Sequence, residues 1–237
     1  MMDIFGEAFR DFMAGRPEEV IMVNTSLSDA EPLPVRYFFR GYKEMPPWER
    51  LVLEKCRGKI LDVGAGAGSH ALALQEMGHT VVAIDVSPGA TEVMQARGVK
   101  QAFCADFWQF DQRGFDTILF LMNGIGIAGS LDNLPLLLSH ATNLLSPKGT
   151  LYVESTDLVY MFGEEDGSVL LPMGDHYYGE VKYELSYKGL RGKPFSWLFV
   201  DLDNLSATAR SCGLLTDVIY RGNDNHYVAA LRKQEEA

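Results

Sequence analysis

The stretch that most constrains this chain is residues 60–68, Ile-Leu-Asp62-Val-Gly64-Ala65-Gly66-Ala-Gly68, where an apolar run breaks into three glycines at alternate positions and passes directly into a helical pattern. A strand that turns so tightly into a helix needs left-handed backbone, which glycine adopts without a Cβ penalty. The same smallness lets a ligand approach the backbone at Gly66 and lets the helix after Gly68 sit close to the strand. A bare glycine triplet also suits an ordinary strand–helix turn, so the residues C-terminal to it decide between the two. Residues 80–84 read as a second strand ending in Asp85, 21 positions after Gly64. A carboxylate placed there can accept hydrogen bonds from both hydroxyls of a ribose.

The glycine spacing separates two kinds of nucleoside cofactor. A dinucleotide fingerprint has the pattern G-x-G-x-x-G, whereas here the third glycine comes one residue early and Ser69 stands in its place. Asp62-x-Gly64-x-Gly66-x-Gly68, followed by Asp85 and by Ala105-Asp106-Phe107 at the end of a third predicted strand, resembles the class I S-adenosylmethionine-dependent methyltransferases. The resemblance covers roughly residues 58–156, with a weaker echo in the C-terminal strands. It implies an α/β fold, a Rossmann-like, seven-stranded, doubly wound sheet closed by a C-terminal antiparallel hairpin.

The rest of the chain is read against that fold. At 237 residues and 47% apolar content it can bury the core of one large α/β domain. Strand and helix patterns alternate through residues 59–63, 69–77, 80–84, 89–96, 101–105, 117–122, 131–145 and 150–154, the rhythm of a parallel sheet covered on both faces. Ser87-Pro88 reads as a helix start, Ser130 as the cap of the leucine-bearing helix and residues 146–149 as the turn into the fifth strand. Residues 214–220 and 227–232 read as a hairpin joined by Gly222-Asn223-Asp224-Asn225. Residues 1–57 read as an N-terminal helical cap on a methyltransferase domain spanning 58–237, with an inserted β-hairpin, a lid, at 157–200. The aromatics of that insertion, Tyr177, Tyr178, Tyr183, Tyr187, Phe195, Trp197 and Phe199, either wall a substrate pocket or form the apolar face a hairpin needs to stay folded.

Charge and composition narrow the partners. Thirty-two acidic against 21 basic residues give a net charge of −11, which repels a polyanion and argues against nucleic acid. The basic residues between Arg36 and Lys59 are interleaved with Glu44, Glu49 and Glu54 and read as solvated surface. The chain has no run of eighteen apolar residues and no basic-then-apolar start, so we expect no membrane partner and a cytoplasmic location. Cys56, Cys104 and Cys212 lack metal-ligand spacing, and no metal is expected. Oligomeric state stays open.

By the resemblance, S-adenosylmethionine is the cofactor. Asp62 and the turn Gly64, Ala65, Gly66 and Gly68 then lie under its methionyl and ribose portion, and Asp85 with Val86 meets the ribose. Asp106 accepts the adenine amine, with Phe107 against the ring. Asp62 and Asp85 also suit loop capping. Tyr37 and Arg40 in the N-terminal segment are candidates to meet the methionyl carboxylate, and His70 reads as structural or cofactor-adjacent. The fourth strand delivers Met122 and Asn123 to the rim where doubly wound sheets bind ligands. Asn123 precedes Gly124 rather than the two prolines and aromatic of family members that methylate exocyclic amines or glutamine. It equally suits a left-handed turn.

Methyl transfer is an in-line displacement that mainly requires alignment in a dry pocket, so a base is optional. Asn123, Asp157, His176, Tyr177 and Tyr178 are the catalytic candidates, the last four because they follow the fifth strand. Their spacing singles out none. The resulting reading is methyl transfer to a small-molecule acceptor, neutral or cationic, at oxygen or nitrogen. The rivals are a non-catalytic S-adenosylmethionine-binding sensor or partner module and a nicotinamide-dependent oxidoreductase. The third glycine and the terminal hairpin disfavour the oxidoreductase.

Overall fold

The computed structural model describes residues 2–16, 18–163, 168, 170 and 176–234. Its first segment is not the helical cap expected of residues 1–57. Helix α1 (Ile4–Met13) is followed by an antiparallel pair of strands, β1 (Val20–Thr25) and β2 (Glu31–Pro34). Short 3-10 turns at Val35–Phe39 and Tyr42–Glu44 then lead to α2 (Pro47–Lys55). Pro32 and Pro34 hide β2 in the sequence, because proline donates nothing to a ladder; here β2 is an edge strand, where that loss is tolerated.

From β3 (Lys59–Val63) the expected alternation appears. It continues through α3 (Ser69–Glu76), β4 (Thr80–Asp85), α4 (Pro88–Ala96), β5 (Ala102–Cys104) and β6 (Phe115–Phe120) to α5 (Leu134–Leu144) and β7 (Leu145–Thr156). The insertion supplies β8 (Glu180–Tyr187), β9 (Leu190–Arg191) and β10 (Phe195–Leu198), and α6 (Leu202–Ser211), β11 (Leu214–Arg221) and β12 (His226–Lys233) close the chain. Seven strands form one sheet in the order β11-β12-β7-β6-β3-β4-β5. The five from β7 to β5 are parallel, and β12 runs antiparallel to both β7 and β11. The cap of α5 is Asn133 rather than Ser130, with Pro135 in its first turn.

Successive strand residues face opposite sides of the sheet. Leu61 and Val63 therefore pack with Leu137, Leu138 and Leu205, while Ile60 packs with Leu53 and Leu74 from α2 and α3. Both faces are covered, which is why the strands read as nearly continuous apolar runs.

The inserted hairpin is not an independent lid. β8 pairs with β9 and β10 but also with β1, so a second sheet runs β10-β8-β1-β2, with Thr25 opposite Tyr183. The N-terminal segment and the insertion thus share one layer. α1 packs between that layer and α4, so close to α4 that a Cβ on Gly89 would lie 2.5 Å from Gly6 Cα. Asp3 caps both helices, accepting from the Gly6 and Gly89 N–H groups at 2.9 Å each and from the Ser87 hydroxyl at 2.7 Å. Losing one such cap costs about 1 kcal/mol. No helix among the described residues is long and apolar enough to cross a membrane.

Candidate functional site

The glycine loop has φ of +67° at Gly64, +56° at Gly66 and +83° at Gly68, conformations other residues adopt only with strain. It is strapped to the end of β4: Gly64 and Ala65 N–H donate to the Ile84 carbonyl at 2.9 and 3.0 Å, and Gly66 N–H to Asp85 Oδ2 at 2.9 Å. The other Asp85 oxygen accepts from Ser87 N–H at 2.9 Å. Asp85 therefore caps the loop, and each of its oxygens retains a second lone pair for a ligand. Burial raises its carboxyl above the ordinary range, against the pull of the Ser87 and Gly66 hydrogen bonds. Beyond Gly64 an added Cβ would meet nothing within 4 Å, so the loop borders open space. At the end of β3, Asp62 is 2% exposed and its Oδ2 has no hydrogen-bond partner. Burial, with Asp85 adding to it and His70 opposing, pushes the Asp62 carboxyl up to about 6.

The N-terminal segment reaches this loop. Ser69 Oγ donates to the Phe38 carbonyl at 2.7 Å, and Arg97 donates to the carbonyls of Ala67 at 2.5 Å and Phe39 at 3.4 Å. Arg40 is not the free cation expected for a carboxylate. Its guanidinium lies 3.6 Å over the Tyr37 ring, and Nη2 donates to both oxygens of buried Glu49 at 2.9 and 3.2 Å. Glu49 also bonds His70 Nε2 at 3.1 Å, so His70 links α3 to α2. Burial pulls the His70 pKa down, but Glu49 and the field of Asp62 outweigh it and hold it above its usual value. Arg40 Nε is buried without a hydrogen-bond partner.

After β6 the chain takes two consecutive left-handed residues, Met122 (φ +56°) and Asn123 (φ +55°). This turn lies between the glycine loop and Arg40: a Cβ on Gly124 would come 4.0 Å from the Val63 carbonyl oxygen, and Met122 Sδ is 3.9 Å from Arg40 Nη2. Met122 N–H donates to Glu154 Oε2, Glu154 Oε1 is 3.0 Å from His226 Nε2, and Trp197 Nε1 donates to the Asn123 carbonyl at 3.0 Å. The Asn123 side-chain oxygen is buried without a partner. Glu154 and His226 carried no sequence signal, being 72 residues apart and joined only by the β7–β12 pairing. Four buried side-chain polar atoms lack partners among the described residues, and three of them, on Arg40, Asp62 and Asn123, belong to this rim; the fourth is Thr216 Oγ1 on β11.

Other expected residues fall elsewhere. Phe107 does not present its ring to a ligand: it is 1% exposed, packed between Phe120 and His140 at centroid distances of 5.2 and 4.9 Å. Trp108, which the sequence did not single out, is exposed beside it, and Val86 and Phe103 are exposed as well. The Asp106 carboxylate accepts from Trp108 N–H at 3.0 Å.

Tyr177 and Tyr178 are poor bases. Their hydroxyls donate to Asp201 Oδ2 at 2.5 Å and Asp157 Oδ1 at 2.7 Å, and burial together with these bonds raises both phenols well above their ordinary range. Asp157 also caps the 3-10 turn Leu158–Phe162 through Val159 N–H at 2.9 Å. His176 is open to solvent, 3.6 Å from Glu180. Through Asp201, the N-cap of α6, the two tyrosines brace the insertion against that helix.

A family model described as a methyltransferase domain matches residues 36–185. The structure is similar to that of a SAM-dependent methyltransferase from Bacteroides fragilis in complex with S-adenosyl-L-homocysteine. That protein is 43% identical, with a TM-score of 0.91 over 98% of this chain and 95% of the other. The fold also recurs in the CcbJ methyltransferase from Streptomyces caelestis (16% identity, TM-score 0.61, 82% and 92% covered). It recurs again in the sugar N-methyltransferase KedS8 from Streptoalloteichus (19%, 0.56, 87% and 96%).

Proposed function

Because this chain belongs to the class I S-adenosylmethionine-dependent methyltransferases, we propose that it methylates a small-molecule acceptor at oxygen or nitrogen, over the rim formed by the glycine loop and the Met122–Asn123 turn. The observation that carries the placement is the set of unpaired buried atoms at that rim. An unsatisfied buried polar group costs on the order of 1–3 kcal/mol, and a methionyl zwitterion supplies what is missing: an ammonium for Asp62 Oδ2 and a carboxylate for Arg40 Nε. Arg40 plays this part while neutralised by Glu49, through one N–H rather than net charge, and Tyr37 holds its plane. Gly64, beyond which a Cβ would meet nothing within 4 Å, leaves room beneath the ligand, Ala65, Gly66 and Gly68 shape the turn around it, and the spare lone pairs of Asp85 meet the ribose. Asp106 accepts the adenine amine, with exposed Val86 and Trp108, rather than the Phe107 ring, as apolar flanks.

When bound, the cofactor supplies a methyl group on a sulfonium whose positive charge vanishes on transfer. The protein's task is then to exclude water and align the acceptor. We assign no general base, since both phenols that follow β7 are held protonated. The −11 charge favours a neutral or cationic acceptor over nucleic acid. Titration calorimetry with S-adenosylhomocysteine tests the placement. One site is expected, and Asp85→Ala should weaken it by about 1.5–3 kcal/mol through lost hydrogen bonds to a charged group. Tighter binding of a nicotinamide dinucleotide would overturn the reading.

A further inference from the structure

We propose that Glu154 and His226 are a positioning pair for the methyl-transfer site, holding the Met122–Asn123 turn against the cofactor; this rests on the cofactor placement given above. Two adjacent left-handed residues without glycine are unfavourable, Met122 more so than Asn123, and they persist only when their surroundings over-determine them. Here the turn is held at both ends. Glu154 takes the Met122 N–H and Trp197 donates to the Asn123 carbonyl. Glu154 is buried, so its carboxylate needs partners of its own.

His226 is the side-chain partner, at 3.0 Å from the second oxygen, and it is fixed in turn by Trp48 of α2 and Tyr220 of β11, with ring centroids 4.6 and 5.6 Å away. Burial raises the Glu154 carboxyl, His226 and the Met122 N–H pull it back, and Glu49 of α2 adds to the rise. The rim turn is thereby braced from α2, β7 and the C-terminal hairpin together. A carboxylate that merely filled the core would not need to end on the backbone N–H of Met122, the first left-handed residue of this turn.

The test uses S-adenosylhomocysteine as probe on the full chain, with amide hydrogen exchange at Met122 read alongside. Glu154→Ala should weaken binding about tenfold or more, the scale of a lost charge-assisted hydrogen bond, and speed Met122 exchange. Glu154→Gln, which keeps an acceptor for Met122 N–H, should restore both to near wild type. A purely structural Glu154 would instead lower the melting temperature in both variants and leave the affinity of the folded protein unchanged, which overturns the proposal. If Glu154→Ala does not fold, His226→Ala and His226→Gln decide: weakening by the first with rescue by the second supports the pair, and wild-type affinity in His226→Ala overturns it. Failure of wild-type protein to bind the probe sinks the cofactor placement and the pair together. Normal binding that Asp85→Ala weakens and Glu154→Ala does not sinks only the pair.

Discussion

At the scale of single residues, Asp62 carries a cost of burial that the proposed ligand ammonium would relieve. Its carboxyl rises from 3.8 to about 6 because it is buried with one oxygen unpaired. An acid whose pKa is higher folded than unfolded binds its proton more tightly in the fold. Its contribution is therefore most favourable below about pH 4 and is lost as pH rises through about 6, on the order of 3 kcal/mol. His70, also raised, adds in the same direction: its contribution is present below the unfolded value of 6.5 and fades as pH rises through its folded value. Asp62→Asn should therefore raise the thermal stability of the ligand-free protein near neutral pH and flatten its loss between about pH 4 and 6. The same variant should bind S-adenosylhomocysteine more weakly. Melting curves across that range check the first effect and calorimetry the second.

At the scale of elements, the hairpin of the insertion meets the turn after β6 through an indole. Trp197 on β10 lies over Gly126, where an added Cβ would clash with its Nε1, and the same nitrogen holds the Asn123 carbonyl. Gly126→Ala should displace the indole, release that carbonyl and quench or shift tryptophan fluorescence. Its stability cost should be about 1–3 kcal/mol, as for overpacking elsewhere. Unchanged fluorescence with an unchanged melting temperature would count against this contact. The expectation of Phe107 against the adenine ring came from its place after Asp106. What the position did not reveal is that its 3-10 turn, Phe107–Gln109, aims the first aromatic into the core and the next one outward.

At the scale of the whole molecule, the two additions to the parallel sheet depend on each other. Replacing residues 179–199 with a short glycine-serine link should do more than remove a pocket wall: β1 would lose its partner β8, and buried Ile21 would be uncovered. Hydrogen exchange should then rise across Val20–Thr25 and α1 as well as at the deletion. If protection of those segments survives, the second sheet is not what holds the N-terminal segment in place. The aromatics of the insertion form the apolar face its hairpin needs, since Tyr183 stacks with Phe195 and Phe199, while Trp197 donates to the Asn123 carbonyl at the rim.

Local pattern was enough for the central sheet, the glycine loop and the terminal hairpin, because strand–turn–helix units are written in contiguous residues whose period and glycines state their own geometry. It also located Asp62, Asp85, Met122 and Asn123 at strand ends. It could not reveal that β1 and β8, far apart in the chain, pair with each other, since β pairing depends on register between strands rather than on either strand alone. Nor could it reveal that Arg40 is neutralised by Glu49, that Tyr177 and Tyr178 are tied to Asp201 and Asp157, or that Glu154 and His226 meet beneath the rim. Each of those roles belongs to a buried charge or phenol, whose chemistry is set by the partner that burial brings within about 3 Å; only the tertiary structure chooses that partner.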